Sequence, residues 1–157
     1  MNPPRQVKCV VDDCGFSSQS EQCDRSIKNA KLPVKPMKFV LDIGMRLVHN
    51  YSLHDADITP LAASMTVPAL FIHGGNDKVV TPECGQKLYD ACGSADKTFK
   101  MFPDAGHALS YVTDPDGYLG CINGFIEKVF SLPPVVVDDG ESAGTPVSDK
   151  ADESAAQ

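Results

Sequence analysis

Two short loops hold the residue types best suited to acid–base chemistry. His73-Gly74-Gly75-Asn76-Asp77 ends one apolar run, and Asp104-Ala105-Gly106-His107 follows another. A carboxylate that accepts the proton on one imidazole nitrogen fixes the ring's tautomer and stabilises imidazolium. The other nitrogen is then free to act as a general base on a hydroxyl. Asp77 and His107 are the candidates for this pair. Asp104 is nearer to His107 in sequence, but Asp77 leaves a different strand and can approach the ring from the side. The bland readings are a turn aspartate, since Asn-Asp in a glycine-rich loop is ordinary turn chemistry, and a surface-loop histidine. His73 reads as structural, holding the loop that carries Asp77.

Local pattern indicates the strands and helices that carry these loops. Ala69–His73 is a continuous apolar run after Val67-Pro68, which suits a central parallel strand. Thr98–Phe102 reads as the next strand. Between them, Thr81-Pro82-Glu83 starts a helix as N-cap, first-turn proline and first-turn acid, and the helix stops at Gly93. Asp114-Pro115 repeats the signal, and the helix it opens reaches Phe130. Gly117, Gly120 and Gly124 weaken this helix but would allow close approach to a sheet.

Upstream, Val7–Val11 reads as a buried strand ended by the breaker Asp-Asp-Cys-Gly. Ser17–Ala30 reads as a polar helix, which Ser17, Ser18 and Ser20 more simply cap than serve chemically. Met37–His49 reads as a helix with Phe39, Val40, Ile43, Leu47 and Val48 in an apolar stripe. Strand, helices, strand, helix, strand, helix implies an α/β fold of about three parallel strands joined by right-handed crossovers. In such a sheet, catalytic groups gather at the carboxyl ends of the strands, where both loops lie.

Charge and composition narrow the function. Of the net charge of −7, residues 131–157 carry −5: six acids and Lys150. This segment is rich in Pro, Ser, Ala and Gly and reads as a disordered acidic tail. The remaining body is near neutral, with no basic stripe for nucleic acid. No apolar run is long enough to span a bilayer, and the polar N-terminus has no signal-peptide core, which fits a cytoplasmic chain. None of the six cysteines stands in a C-x-x-C pair, so a zinc site is not expected and the thiols read as mostly reduced and structural. Cys14 follows a strand but lacks a nucleophile elbow, so packing or a place at the base of a lid is its expected role. His49 and His54 are expected at the surface.

The stretch VPALFIHGGNDKVVTPECGQKLYDACG, followed by KTFKMFPDAGHA, resembles the last two strands of α/β-hydrolases. There, H-G-x-x-D supplies the triad acid and G-H the triad histidine, so the resemblance implies these roles for Asp77 and His107. VKCVVDDCGFSS and HALSYVTDPDGY resemble a bacterial subgroup related to prolyl-oligopeptidase-like serine hydrolases. The likeness covers about residues 5–130 and implies the C-terminal portion of the fold, with an incomplete sheet. Residues 17–61 would then contain a lid or helical connection. No cofactor is implied, since triad chemistry needs no metal.

The family's nucleophile sits in G-x-S-x-G on a strained strand-to-helix turn upstream of this region. No such motif occurs in the 157 residues, and neither Ser64 nor Ser110 stands in an elbow. The expectation is therefore a serine-hydrolase type, acting on an ester, thioester or peptide, represented by its acid–base half. Such a chain would be inactive alone, or complemented by an N-terminal half supplied elsewhere. The alternative is a degenerate, non-catalytic module for binding or interaction.

Overall fold

In a computed structural model, residues 6–131 are described. The expected acidic tail, beyond Ser131, lies outside them. Strands β1 (Val10–Asp13), β2 (Ala69–Gly74) and β3 (Lys97–Phe102) form a parallel sheet in the order β1-β2-β3. Helices α1 (Gln19–Asn29), α2 (Val34–His49) and α3 (Thr59–Ala63) connect β1 to β2, and α4 (Pro82–Ala91) connects β2 to β3. The short α5 (Ser110–Thr113) and the long α6 (Pro115–Phe130) come after β3.

β2 is the centre of the molecule, with all six residues buried. Side chains alternate across a strand, and here each set meets helices. Ala69 and Phe71 join Ala62, Leu88 and Cys92 in one core, on the side of α3 and α4. Leu70 and Ile72 join Phe102, Ala105 and Phe125 in the other, under α6. Cover on both faces explains the unbroken apolar run, and burial of each large β2 side chain contributes about 1.5–3 kcal/mol.

β1 lies further along the chain than the Val7–Val11 run. Its pairing begins where Val10 N–H donates to the Pro68 carbonyl (2.9 Å) and continues to Asp13 opposite Ile72. Pro68 has no N–H to extend the ladder backwards, while β2 supplies partners for Asp12 and Asp13, which read as breakers. Tertiary pairing thus overrides strand propensity. Among the described residues the outer edge of β1 is unpaired. An apolar pocket of about 270 Å³ opens beside it, lined by Val10, Ile58, Leu61, Met65 and Phe71.

The α2 stripe exists but is not core. Phe39 is 67% exposed and Leu47 81%, and no residue of α2 is buried. The helix is held by a polar hub instead. Asp42 accepts from the Ser52 hydroxyl (2.8 Å), the Leu53 amide (2.9 Å) and Arg46 (2.8 Å). These bonds bring its carboxyl down to about 2.

The cap signals hold in part. Ser18 caps α1, and Asp114 caps α6 by accepting from the Gly117 amide. Thr81 sits at the N-cap of α4 but makes no capping bond, because its hydroxyl is engaged by Arg25. The last residue of α4 is Ala91, and Gly93 is not left-handed. Its missing side chain serves close approach: a Cβ there would lie 2.2 Å from the Ala63 carbonyl oxygen. Gly120 and Gly124 do not serve approach to the sheet, because both face open space. His49 and His54 are exposed.

Candidate active site

The β2–β3 register sets Gly74 beside Phe102, so the two loops leave the sheet side by side. Gly75 N–H donates to the Phe102 carbonyl (2.8 Å) and Asn76 N–H to that of Ala105 (2.9 Å). Two glycines are needed for this contact. A Cβ on Gly74 would meet the Ala105 carbonyl oxygen at 2.5 Å, and one on Gly75 would meet that of Pro103 at 2.5 Å.

This packing brings Asp77 to His107. Nδ1 of His107 lies 2.8 Å from Oδ2 of Asp77. The Asp77 side chain is fully buried, while that of His107 is 39% exposed. Oδ1 of Asp77 accepts from the amides of Val79 and Val80, both at 2.9 Å. Burial alone would raise the Asp77 carboxyl, but the hydrogen bond from His107 and the two amides outweigh it and hold it below the ordinary carboxylate value. An ionised carboxylate can only accept, so Nδ1 carries the proton and Nε2 is left as the basic nitrogen. Asp104 is exposed, and the ring's carboxylate partner is Asp77.

His73 is the staple its position implied. It is fully buried, and its Nε2 donates to the Val80 carbonyl (2.9 Å), closing the loop that carries Asp77. Gly85 of α4 makes room for this ring: a Cβ there would lie 2.5 Å from His73 Nδ1. Helix α1 grips the same loop from outside. Gln22 donates to the Val79 carbonyl (2.6 Å), Arg25 binds the Thr81 hydroxyl, and Lys87 of α4 pairs with Glu21 (2.7 Å). Nothing in local sequence pattern identified Gln22 and Arg25, because their partners are more than fifty positions away.

Cys14 is closer to the pair than a packing role implies. It is buried, left-handed (φ 59°), and its Sγ accepts from the Ala108 amide (3.4 Å), the residue after His107. Ala108 is also left-handed (φ 55°). Burial pushes the Cys14 thiol up. Ser17 and Ser18 serve the start of α1, with Ser17 Oγ donating to Glu21 (3.2 Å). Ser110 is fully buried at the start of α5.

A parallel sheet covered on both faces, with helices in these crossovers, is the C-terminal portion of an α/β-hydrolase fold. The chain overlays an esterase of Pyrococcus furiosus with a TM-score of 0.57 at 19% identity, covering 79% of this chain and 46% of that one. It overlays acetyl xylan esterase 1 of a Thermoanaerobacterium species at 0.53 and 21%, covering 79% and 38%. In sequence, 107 residues are 28% identical to a Schizosaccharomyces pombe protein named "Putative monoglyceride lipase", spanning 68% of this chain but 28% of that protein. Residues 25–116 match the family described as serine aminopeptidase, S33. That match spans more than half of the chain, which therefore belongs to this family of α/β-hydrolases.

Proposed function

We propose that Asp77 and His107 are the acid and base of a hydrolytic triad. The observation that carries this reading is the 2.8 Å hydrogen bond between His107 Nδ1 and buried Asp77, at the carboxyl ends of neighbouring parallel strands. His107 Nε2 takes the proton of a nucleophilic hydroxyl as its oxygen attacks a carbonyl carbon. Asp77 stays ionised and stabilises the imidazolium, which then protonates the leaving group. The 157 residues contain no G-x-S-x-G, so the hydroxyl of this scheme is a serine on polypeptide outside them. This chain alone would then be inactive. Esters are the favoured substrates, because the similar proteins include an esterase, an acetyl xylan esterase and one named for monoglyceride lipase activity.

The test is co-expression with the segment encoded upstream, assayed on a p-nitrophenyl ester. Activity should appear only with both parts and fall by at least roughly 10³-fold in His107→Ala. Turnover that survives this substitution, or no gain over either part alone, would reject the scheme. One observation favours a second reading, a non-catalytic interaction module: the exposed apolar stripe of α2. A monomeric chain with a cooperative urea transition would support the module, whereas the edge of β1, unpaired among the described residues, favours an incomplete sheet.

A further inference from the structure

We propose that Cys14, Asp77 and His107 form a binding site for one thiophilic divalent cation of the Zn²⁺ type. One ligand atom from each of the three lies within 4.8 Å of the other two. Zinc takes thiolate at about 2.3 Å and imidazole or carboxylate at about 2.0–2.2 Å, which places tetrahedral ligand atoms roughly 3.3–3.7 Å apart. Closing the set on an ion therefore needs a shift of about 1 Å.

The chemistry of the donors selects the metal. Sulfur, imidazole nitrogen and a single carboxylate suit zinc and its soft neighbours, while magnesium and calcium require shells of oxygen. Oδ1 of Asp77 is committed to two backbone amides, which leaves Oδ2 as the ligand oxygen. On binding, the sulfur–metal bond forms as the thiol proton leaves to solvent, and the neutral imidazole ligates through the lone pair of one ring nitrogen while its proton stays on the other. One thiolate and one carboxylate then neutralise the double positive charge in a site where Cys14 and Asp77 are buried.

The ligands are held in advance by three different connections. Cys14 N–H donates to the Ile72 carbonyl (2.9 Å), continuing the β1–β2 ladder. The Ala108 amide already points at the sulfur. The two Val79 and Val80 amides fix the Asp77 carboxylate. The partial exposure of His107 gives the ion an entry path, and three protein ligands leave a fourth position open. A metal on Oδ2 competes with the hydrogen bond from His107, so occupancy removes the carboxylate from the imidazole. The site stands on geometry and holds whether or not the pair serves a triad.

The experiment uses the full 157-residue chain, stripped of metal and kept reduced. Zn²⁺ is titrated by calorimetry and Co²⁺ by absorption. The expected result is one equivalent bound, with a thiolate-to-cobalt charge-transfer band. Cys14→Ser abolishes the band. Cys14→Ser and His107→Gln each weaken affinity by at least about 10-fold, the smallest loss that even outer-sphere partners produce. His49→Gln/His54→Gln, which removes two exposed imidazoles, leaves binding unchanged. Melting curves of every variant establish folding, and His107→Gln, at a partly exposed position, decides if Cys14→Ser does not fold. No binding, a cobalt spectrum without the thiolate band, or binding lost in the His49/His54 variant and kept in His107→Gln would overturn the site.

Discussion

Replacing Asp77 by Asn tests the geometry of the Asp77–His107 pair without needing a substrate. The Asn oxygen can keep accepting from the Val79 and Val80 amides, but its amide group then faces His107 Nδ1, where Oδ2 accepted before. A donor opposite a donor is untenable, so the ring proton must move to Nε2. The lost charge weakens hydrogen bonds of a fully buried carboxylate, and bonds to charged groups contribute about 1.5–3 kcal/mol. For a domain of this size that is a fall in Tm of roughly 4–10 °C at neutral pH. The pH dependence comes from the sign of the shift. The folded-state carboxyl lies below its ordinary value, so its contribution is complete above the unfolded value of 3.8 and is lost as pH falls through the lowered folded value. The difference between wild type and Asp77→Asn should therefore close in acid. Thermal melts across pH, with ¹⁵N shifts of the His107 ring, measure both effects. An unchanged Tm at neutral pH together with an unchanged tautomer would refute the reasoning.

Three further outcomes are expected from the fold. Gly75→Ala should destabilise the chain by about 1–3 kcal/mol in urea melts, because the new methyl would meet the Pro103 backbone at 2.5 Å rather than a movable side chain. Val11→Lys, at a 40% exposed position on the strand whose outer edge is unpaired among the described residues, should reduce self-association in sedimentation without lowering stability, since charge on an edge blocks strand addition. Asp42 has a carboxyl at about 2 in the folded chain against 3.8 otherwise, so its hold on Ser52 and Leu53 is complete above 3.8 and lost as pH falls through about 2; Asp42→Asn should remove that step from an acid titration followed through α2 helicity.

The fold class was legible because its strongest signal is local. An apolar run buried on both faces, two proline-started helices and a glycine-rich loop each announce themselves within a few residues, as at Ala69–Gly74 and Pro115. The limits of β1 were not legible, because they are set by the residues of β2 that can pair with it and not by the preference of VKCVV. The apolar stripe of α2 was visible, but periodicity says only that a helix has an apolar face, not what covers it. Gly120 and Gly124 show the same limit: a residue type permits a contact without requiring it. The pairing of Asp77 with His107 could be inferred from loop position on adjacent strands. The approach of Cys14 could not, since 94 positions separate it from Ala108 and spacing rules for metal ligands look only along the chain.

The Asp77–His107 hydrogen bond depends little on the exposed edge of the sheet at β1. Every hydrogen bond that orients Asp77 and His73 comes from residues between Gly74 and His107, and the glycine contacts that dock the two loops involve only β2, β3 and the loops at their carboxyl ends. β1 and α1 touch the site from outside, through Cys14 at Ala108 and through Gln22 and Arg25 at the Asp77 loop. Loss or displacement of β1 should therefore loosen the thiol and the outer grip first while β2 and β3 keep the carboxylate on the imidazole. Such a division suits the proposed scheme, because the Asp77–His107 pair is set by β2, β3 and their loops and does not rely on β1.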